Sequence, residues 1–133
     1  MKRHILIVED HKAVRKSLRD WLEGVFPQCD FSEATNGEEA IEICRDITPD
    51  LILMDIGLPG LNGFETTQRI LSMISNTRVV MLTIHEEEAY RSLALSVGAS
   101  AYVPKRKMKT ELIPTIKELL KGIRKKGDKK EVK

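Results

Sequence analysis

Five residues of this chain have the side chains to share one reaction: Glu9, Asp10, Asp55, Thr83 and Lys105. Each follows an apolar run. Glu9 and Asp10 come after Ile5-Leu6-Ile7-Val8, Asp55 after Leu51-Ile52-Leu53-Met54, and Thr83 after Val79-Val80-Met81-Leu82; Lys105 follows Ala101-Tyr102-Val103 and Pro104. If those runs are parallel strands, their carboxyl ends lie on one rim, where open α/β sheets place their chemistry. Three carboxylates that close do not all stay ionised unless a cation sits among them. Oxygen-only ligation with open water positions suits Mg2+ better than zinc. An ammonium and a hydroxyl opposite such an ion would hold the equatorial oxygens of a phosphoryl group. One of the carboxylates would then be the nucleophile, forming an acyl phosphate.

The elements that must position these groups are legible in the pattern. Apolar runs without polar alternation suit strands buried on both faces. After Asp55, Gly57, Pro59 and Gly60 force a turn, and Asn62-Gly63 caps a helix starting near Phe64. Val14, Leu18, Trp21, Leu22 and Val25 recur at helical spacing and predict a first helix ending near Gly24 to Pro27. Cys29 to Ala34, with Asp30 and Glu33, reads as an edge strand. Thr35 and Asn36 offer caps, with Glu38 and Glu39 as capping-box partners, to a helix burying Ala40, Ile43, Cys44 and Ile47 before Pro49. Phe64, Thr67, Leu71 and Ile74 mark a third helix. Tyr90, Leu93, Ala94 and Val97 mark a fourth, closed by Gly98.

A last helix is expected from about Thr110, with Pro114 inside its first turn. Ile113, Ile116, Leu120 and Ile123 form its stripe, and Leu112 and Leu119 lie beside it. Leu95, Leu112 and Leu119 are spare to the core stripes and predict an apolar partner patch. Five strands alternating with five helices at short connections demand a doubly wound parallel sheet with right-handed crossovers.

Composition bounds the rest. At 133 residues the chain is one domain with room for a core. No apolar run reaches membrane-spanning length, and no export signal precedes the first strand, so a cytoplasmic protein with no membrane partner is expected. Cys29 and Cys44 then read as reduced packing thiols. From Lys121 onward seven basic residues face two acidic ones, a balance of +5 within a whole-chain charge of +2, which leaves the first 120 residues at −3. That argues against direct nucleic-acid binding by the folded part. His4, His11 and His85 lack metal spacing and read as solvated, although His11 and His85 fall near the crevice.

Glu9-Asp10 after the first strand, Asp55 with Leu58-Pro59-Gly60-Leu61-Asn62-Gly63, Thr83, and Tyr102 three residues before Lys105 together resemble a two-component response regulator receiver domain. The resemblance implies a (βα)5 flavodoxin-like fold, strand order 2-1-3-4-5, over residues 1–124, with 125–133 as a basic tail or the start of a linker. It also implies that Asp55 accepts a phosphoryl group from a sensor histidine kinase or a small phosphodonor. Asp10, Asp55 and the backbone carbonyl of Gly57 would bind Mg2+, with Glu9 acting through a water. Lys105 and Thr83 would hold the phosphoryl oxygens, and Thr83 and Tyr102 would form the conformational switch. The face made by the fourth helix, fifth strand and last helix would carry the signal, and a phosphorylation-dependent homodimer is a further expectation. The stretch Gly98-Ala99-Ser100-Ala101-Tyr102 is similar to receivers that precede a helix-turn-helix output domain, which points to transcription. The alternative is a stand-alone receiver acting by protein contacts or as a phosphorelay intermediate. In either case it is a signalling domain that assists its own phosphorylation and dephosphorylation, not a metabolic enzyme.

Two departures from the family pattern stand out. Pro104 precedes Lys105, whereas many receivers carry a cis-proline after the lysine. Ile84 replaces the usual small residue and is expected to crowd the path shared by Thr83 and Tyr102. Two rivals share parts of the pattern. A flavin-binding domain of the same fold has no need of Lys105 and three acids, and an Asp-nucleophile phosphatase carries a second acid where this chain has Gly57. Gly57 and His85, two residues after Asp55 and Thr83, are read as tuners of the acyl phosphate's lifetime. His85 would point the same way as Thr83 if the strand extends that far.

Overall fold

Side-chain alternation along the strands divides the core into two. In the computed structural model, which describes residues 2–122, the strands are β1 (His4–Val8), β2 (Asp30–Ala34), β3 (Leu51–Asp55), β4 (Arg78–Thr83) and β5 (Ala101–Pro104). They form one parallel sheet in the order β2-β1-β3-β4-β5, as the resemblance implied. Leu6, Val8, Ile52, Met54, Val79 and Met81 point to one face. There they meet α2 (Gly37–Asp46), α3 (Gly63–Met73) and α4 (Glu88–Ser96). Ile5, Ile7, Leu51, Leu53, Val80 and Leu82 point to the other, against α1 (Lys12–Val25) and α5 (Met108–Lys121). Every residue of β3 is buried, so the central strand has no polar alternation to display.

The helix stripes need correction at their edges. Val14 and Val25 are 38% and 37% exposed, while Leu18 and Leu22 carry the burial of α1. Both valines lie near the helix ends and line clefts facing α5 and the turn before it, beyond the sheet. Ile41 and Ile70 are core residues, whereas Ile47 is the C-cap of α2 and Leu71 is only half buried. On α4 only Ala94 is buried and Leu93 is exposed, because this short helix approaches the sheet through one small side chain.

The last helix starts earlier than its pattern indicates. A 3-10 turn at Lys105–Lys107 leads into α5 at Met108, which places Pro114 in the second turn. Pro114 and Thr110 are both exposed, so the Thr110 carbonyl that Pro114 cannot serve faces water. The buried stripe is Leu112, Ile116 and Leu120; Leu112 is fully buried and Leu119 packs partly on the same core. Neither is spare. Of the expected apolar patch only Leu95 is open, at 55% exposure. Ile123 and the 125–133 segment lie outside the described residues.

The caps are close to expectation. Asn62 and Glu65 form a full capping box at α3, with bonds of 2.9 and 3.2 Å. At α2, Asn36 accepts from Glu39 N–H, but the Glu39 carboxylate reaches back to Thr35, not to Asn36. Cys29 and Cys44 are buried, and burial pushes the Cys44 thiol up to about 11, consistent with a packing role.

Candidate functional site

The carboxyl ends of β1, β3, β4 and β5 bring the acids, the hydroxyl and the ammonium to one rim. Glu9 and Asp55 are almost fully buried there, and Asp10 is partly covered. Lys105 Nζ lies 3.3 Å from Glu9 Oε1 and 3.3 Å from Asp55 Oδ1, so one ammonium bridges two strands' carboxylates. Burial pulls the Lys105 pKa down, but the Asp55 and Glu9 charges outweigh it and hold the group above the ordinary lysine value. Lysine is therefore the cation, or one of the cations, that three close acids require. Pro104 ends β5 and the 3-10 turn begins at Lys105, so this backbone aims the ammonium across the rim.

Asp55 also accepts a 3.2 Å hydrogen bond from the Gly57 N–H, which fixes the carboxylate against the turn that follows β3. Two glycines shape that turn. Gly60 has φ of 69°, a left-handed conformation that side chains rarely adopt. A Cβ on Gly63 would stand 2.6 Å from the Asp55 carbonyl oxygen and 2.7 Å from Ile56 Cα, so α3 starts directly against the backbone of the acid.

Glu9 and Asp10 are the acids placed closely enough to share an ion. The buried Oδ1 of Asp10 has no hydrogen-bond partner, so its lone pairs can be offered to a cation. The Mg2+ that the receiver resemblance implies fits this donor set. Ligand atoms of Glu9, Asp10 and His11 lie within 4.8 Å of one another. His11, expected in solvent, joins this group. Its ring is 74% exposed, yet Nδ1 sits 3.3 Å from Glu9 Oε2 and 3.5 Å from Asp10 Oδ1. Its i+2 relation to Glu9 matches no helical metal spacing, so only the turn from β1 into α1 reveals it. His4, also expected in solvent, instead places Nε2 2.7 Å from Ser32 Oγ across the β1–β2 pair.

Thr83 and Tyr102 converge on one loop residue. The Thr83 hydroxyl accepts from the His85 N–H at 2.9 Å, and the Tyr102 hydroxyl donates to the His85 carbonyl at 2.6 Å. Burial raises the Tyr102 pKa, so the phenol stays protonated as that donor. Arg91 lies over the Tyr102 ring, 5.0 Å from its centroid. Ile84 is 76% exposed and therefore fills no space between Thr83 and Tyr102, contrary to expectation. β4 ends at Thr83, so the strand alternation invoked for His85 does not reach it. The His85 ring instead stacks on Tyr90 at 4.3 Å.

Behind the acids, Arg15 donates to the Glu9 carbonyl at 2.9 Å and to Glu33 at 2.8 Å, and Arg19 donates to the other Glu33 oxygen at 2.8 Å. The Arg19 hydrogen bond, ahead of that from Arg15, holds the Glu33 carboxyl below its usual range. Stability from this network is therefore present above the ordinary glutamate pKa and lost as pH falls through the depressed one. Glu33→Gln is expected to cost about 1 kcal/mol at neutral pH, a value limited by partial exposure. Urea unfolding of both proteins at pH 7 and pH 3 checks this; a gap of equal size at both pH values would count against it.

Residues 5–117 match the family model described as the response regulator receiver domain. The chain belongs to that family. Over 121 residues it is 32% identical to the response regulator UvrY of Escherichia coli strain K12, covering 91% of this chain and 56% of that protein. It is 33% identical to the transcriptional regulatory protein DegU of Brevibacillus brevis over 122 residues, 91% of this chain and 51% of that one. This receiver thus spans about half the length of the curated relatives it matches. Among solved structures, a LuxR-family two-component response regulator from Aurantimonas sp. SI85-9A1 superposes with a TM-score of 0.86 at 34% identity, covering 93% of this chain and 89% of that one. Among the described residues, no helix of the receiver is long and apolar enough to cross a membrane.

Proposed function

We propose that Asp55 is the phosphoacceptor of a receiver that responds to a sensor histidine kinase or a small phosphodonor in the cytoplasm. The observation that carries this reading is the Lys105 ammonium held between Asp55 and Glu9 at the ends of β5, β3 and β1. One Asp55 oxygen attacks phosphorus, the bond from phosphorus to the donor breaks, and the donor leaves with that electron pair. Lys105 and Thr83 stabilise the charge spread over the equatorial oxygens. Glu9, Asp10, Asp55 and the Gly57 carbonyl would hold Mg2+, with Glu9 acting through a water; the ion supplies charge neutralisation for the transferring group.

Asp55 phosphorylation pulls on Thr83, whose hydroxyl holds the His85 N–H, while Tyr102 holds the His85 carbonyl from β5. That pair of bonds gives the phosphoryl group a route to the face formed by α4, β5 and α5. A few kcal/mol of differential contact suffices to move the population. Exposed Leu95 on α4 belongs to this face and suits a protein partner, including a second phosphorylated copy. The printed name of the Brevibacillus relative, a transcriptional regulatory protein, supports control of transcription as the output.

The test is intact-mass analysis after incubation with acetyl phosphate. One added phosphoryl group is expected with Mg2+ and none after chelation; addition unaffected by chelation contradicts the role given to the acids. Lifetime is a separate expectation. A Cβ at Gly57 would meet only Asp55 Oδ1, at 4.0 Å, so there is room beside the acid at this position. Gly57→Met should slow hydrolysis at least about threefold, or about 0.7 kcal/mol of barrier. First-order decay after donor removal measures it, and an unchanged rate removes Gly57 from the account.

A further inference from the structure

Arg106 directly follows Lys105, at the position where many receivers carry a proline. Its guanidinium reaches across to the loop between β4 and α4. There Nε donates to Glu86 Oε2 and Nη2 donates to Glu86 Oε1, the latter at 2.9 Å, between residues twenty apart in the chain. Isolated surface ion pairs contribute little, but two parallel bonds from one guanidinium to one carboxylate fix direction as well as distance. Lys107 also attracts Glu86 and Glu111 attracts Arg106, each more weakly than the direct bonds.

The loop that carries Glu86 has few other holds. Ile84 is 76% exposed and gives it no apolar anchor, and Glu87, the N-cap of α4, makes no side-chain cap. His85 is tied by Thr83, Tyr102 and the Tyr90 ring. Glu86 adds the tie to the turn after β5. The two segments so joined carry the two groups assigned to the phosphoryl oxygens. β4 and β5 are neighbours with Thr83 opposite Pro104, so the Glu86–Arg106 pair continues the join beyond the ends of both strands.

We infer that Glu86 and Arg106 are positioning residues, whose bidentate pair fixes the Thr83 hydroxyl and the Lys105 ammonium relative to each other and so sets the rate at which Asp55 takes up a phosphoryl group. The inference deepens the proposed function and rests on it. Glu86 and Arg106 act through Thr83 and Lys105, and neither takes part in the transfer itself. Charge alone would act differently. If the two residues only attracted or repelled an anionic phosphodonor, removing the arginine would slow uptake and removing the glutamate would quicken it. A shared positioning role slows uptake whichever partner is lost.

The experiment follows intact mass against time for the whole chain in acetyl phosphate and Mg2+. Arg106→Ala and Glu86→Gln should each take up the phosphoryl group at least about threefold more slowly than the wild type. Their double variant should be no slower than either single one, because the second substitution has no contact left to break. The charge-reversed pair, Glu86→Arg with Arg106→Glu, should return to within about twofold of the wild-type rate. Both side chains are exposed, so the variants should keep their fold, and their thermal transitions verify this. Opposite changes in the two single variants, unchanged rates, additive losses in the double variant, or no recovery in the reversed pair would each overturn the positioning role while leaving Asp55 as the acceptor. A wild type that takes up no phosphoryl group overturns the proposed function itself.

Discussion

Asp55→Asn should leave the receiver folded and reduce phosphoryl incorporation from acetyl phosphate to below about one-hundredth of the wild-type rate. The amide nearly copies the carboxylate's shape, so it can keep the 3.2 Å bond from the Gly57 N–H. It cannot supply the anionic oxygen that attacks phosphorus. The substitution also removes the charge facing Lys105, whose pKa is held up by Asp55 and then Glu9 against burial. The variant's ammonium should therefore titrate lower than in the wild type. Its remaining partner Glu9, at 3.3 Å, keeps it ionised at neutral pH. Intact mass against time provides the check. Incorporation at the wild-type rate would place the acceptor elsewhere.

The second large effect concerns stability. Gly63→Ala should destabilise the fold by about 2–3 kcal/mol, because the new methyl group meets backbone on the strand that carries Asp55. The blocking atoms are the Asp55 carbonyl oxygen and Ile56 Cα, at 2.6 and 2.7 Å, and neither can swing aside as a side-chain tip would. Either α3 retreats from β3 or the turn after Asp55 opens. For a domain of this size the loss corresponds to a fall of roughly 8–12 °C in Tm. Gly24 is the internal comparison: it is exposed, with nothing within 4 Å of its Cβ position, and its alanine variant should unfold within about 0.5 kcal/mol of the wild type. Denaturant melts of both variants decide the matter. Equal stability at the two positions would refute the close contact at Gly63.

The sheet was readable because β1, β3 and β4 are unbroken apolar runs, a pattern that central strands of a parallel sheet produce. The edge position of β2 followed from Asp30 and Glu33 for the same reason. Helical periodicity told which side of each helix faces the sheet, but not where along the helix the sheet stops. Val14 and Val25 overhang it, Leu93 turns outward, and Leu112 goes in. Such outcomes depend on how a finite, twisted sheet meets the helix ends, which spacing does not encode. Pro114 misled in a definable way. It set the start of α5 too late, since a proline in the second turn is tolerated where the carbonyl it abandons is solvated.

Much the same division holds at the rim. Acids at strand ends are a local signal, and Glu9, Asp10, Asp55, Thr83 and Lys105 were legible from their runs. The bond network among them was not. Lys105 is shared between two carboxylates, Arg15 pins the Glu9 carbonyl, and the backbone of His85 joins Thr83 to Tyr102. Each of these depends on chain segments brought together only by the fold.

The central claim, that Asp55 itself becomes the acyl phosphate, is tested most directly by borohydride reduction of the acetyl phosphate-treated receiver in Mg2+, followed by peptide sequencing by mass spectrometry. Reduction converts an aspartyl phosphate to homoserine and leaves unmodified carboxylates alone. The account predicts homoserine at position 55 and at no other aspartate. Homoserine at Asp10 or elsewhere, or none in a sample whose intact mass shows the phosphoryl group, would contradict it.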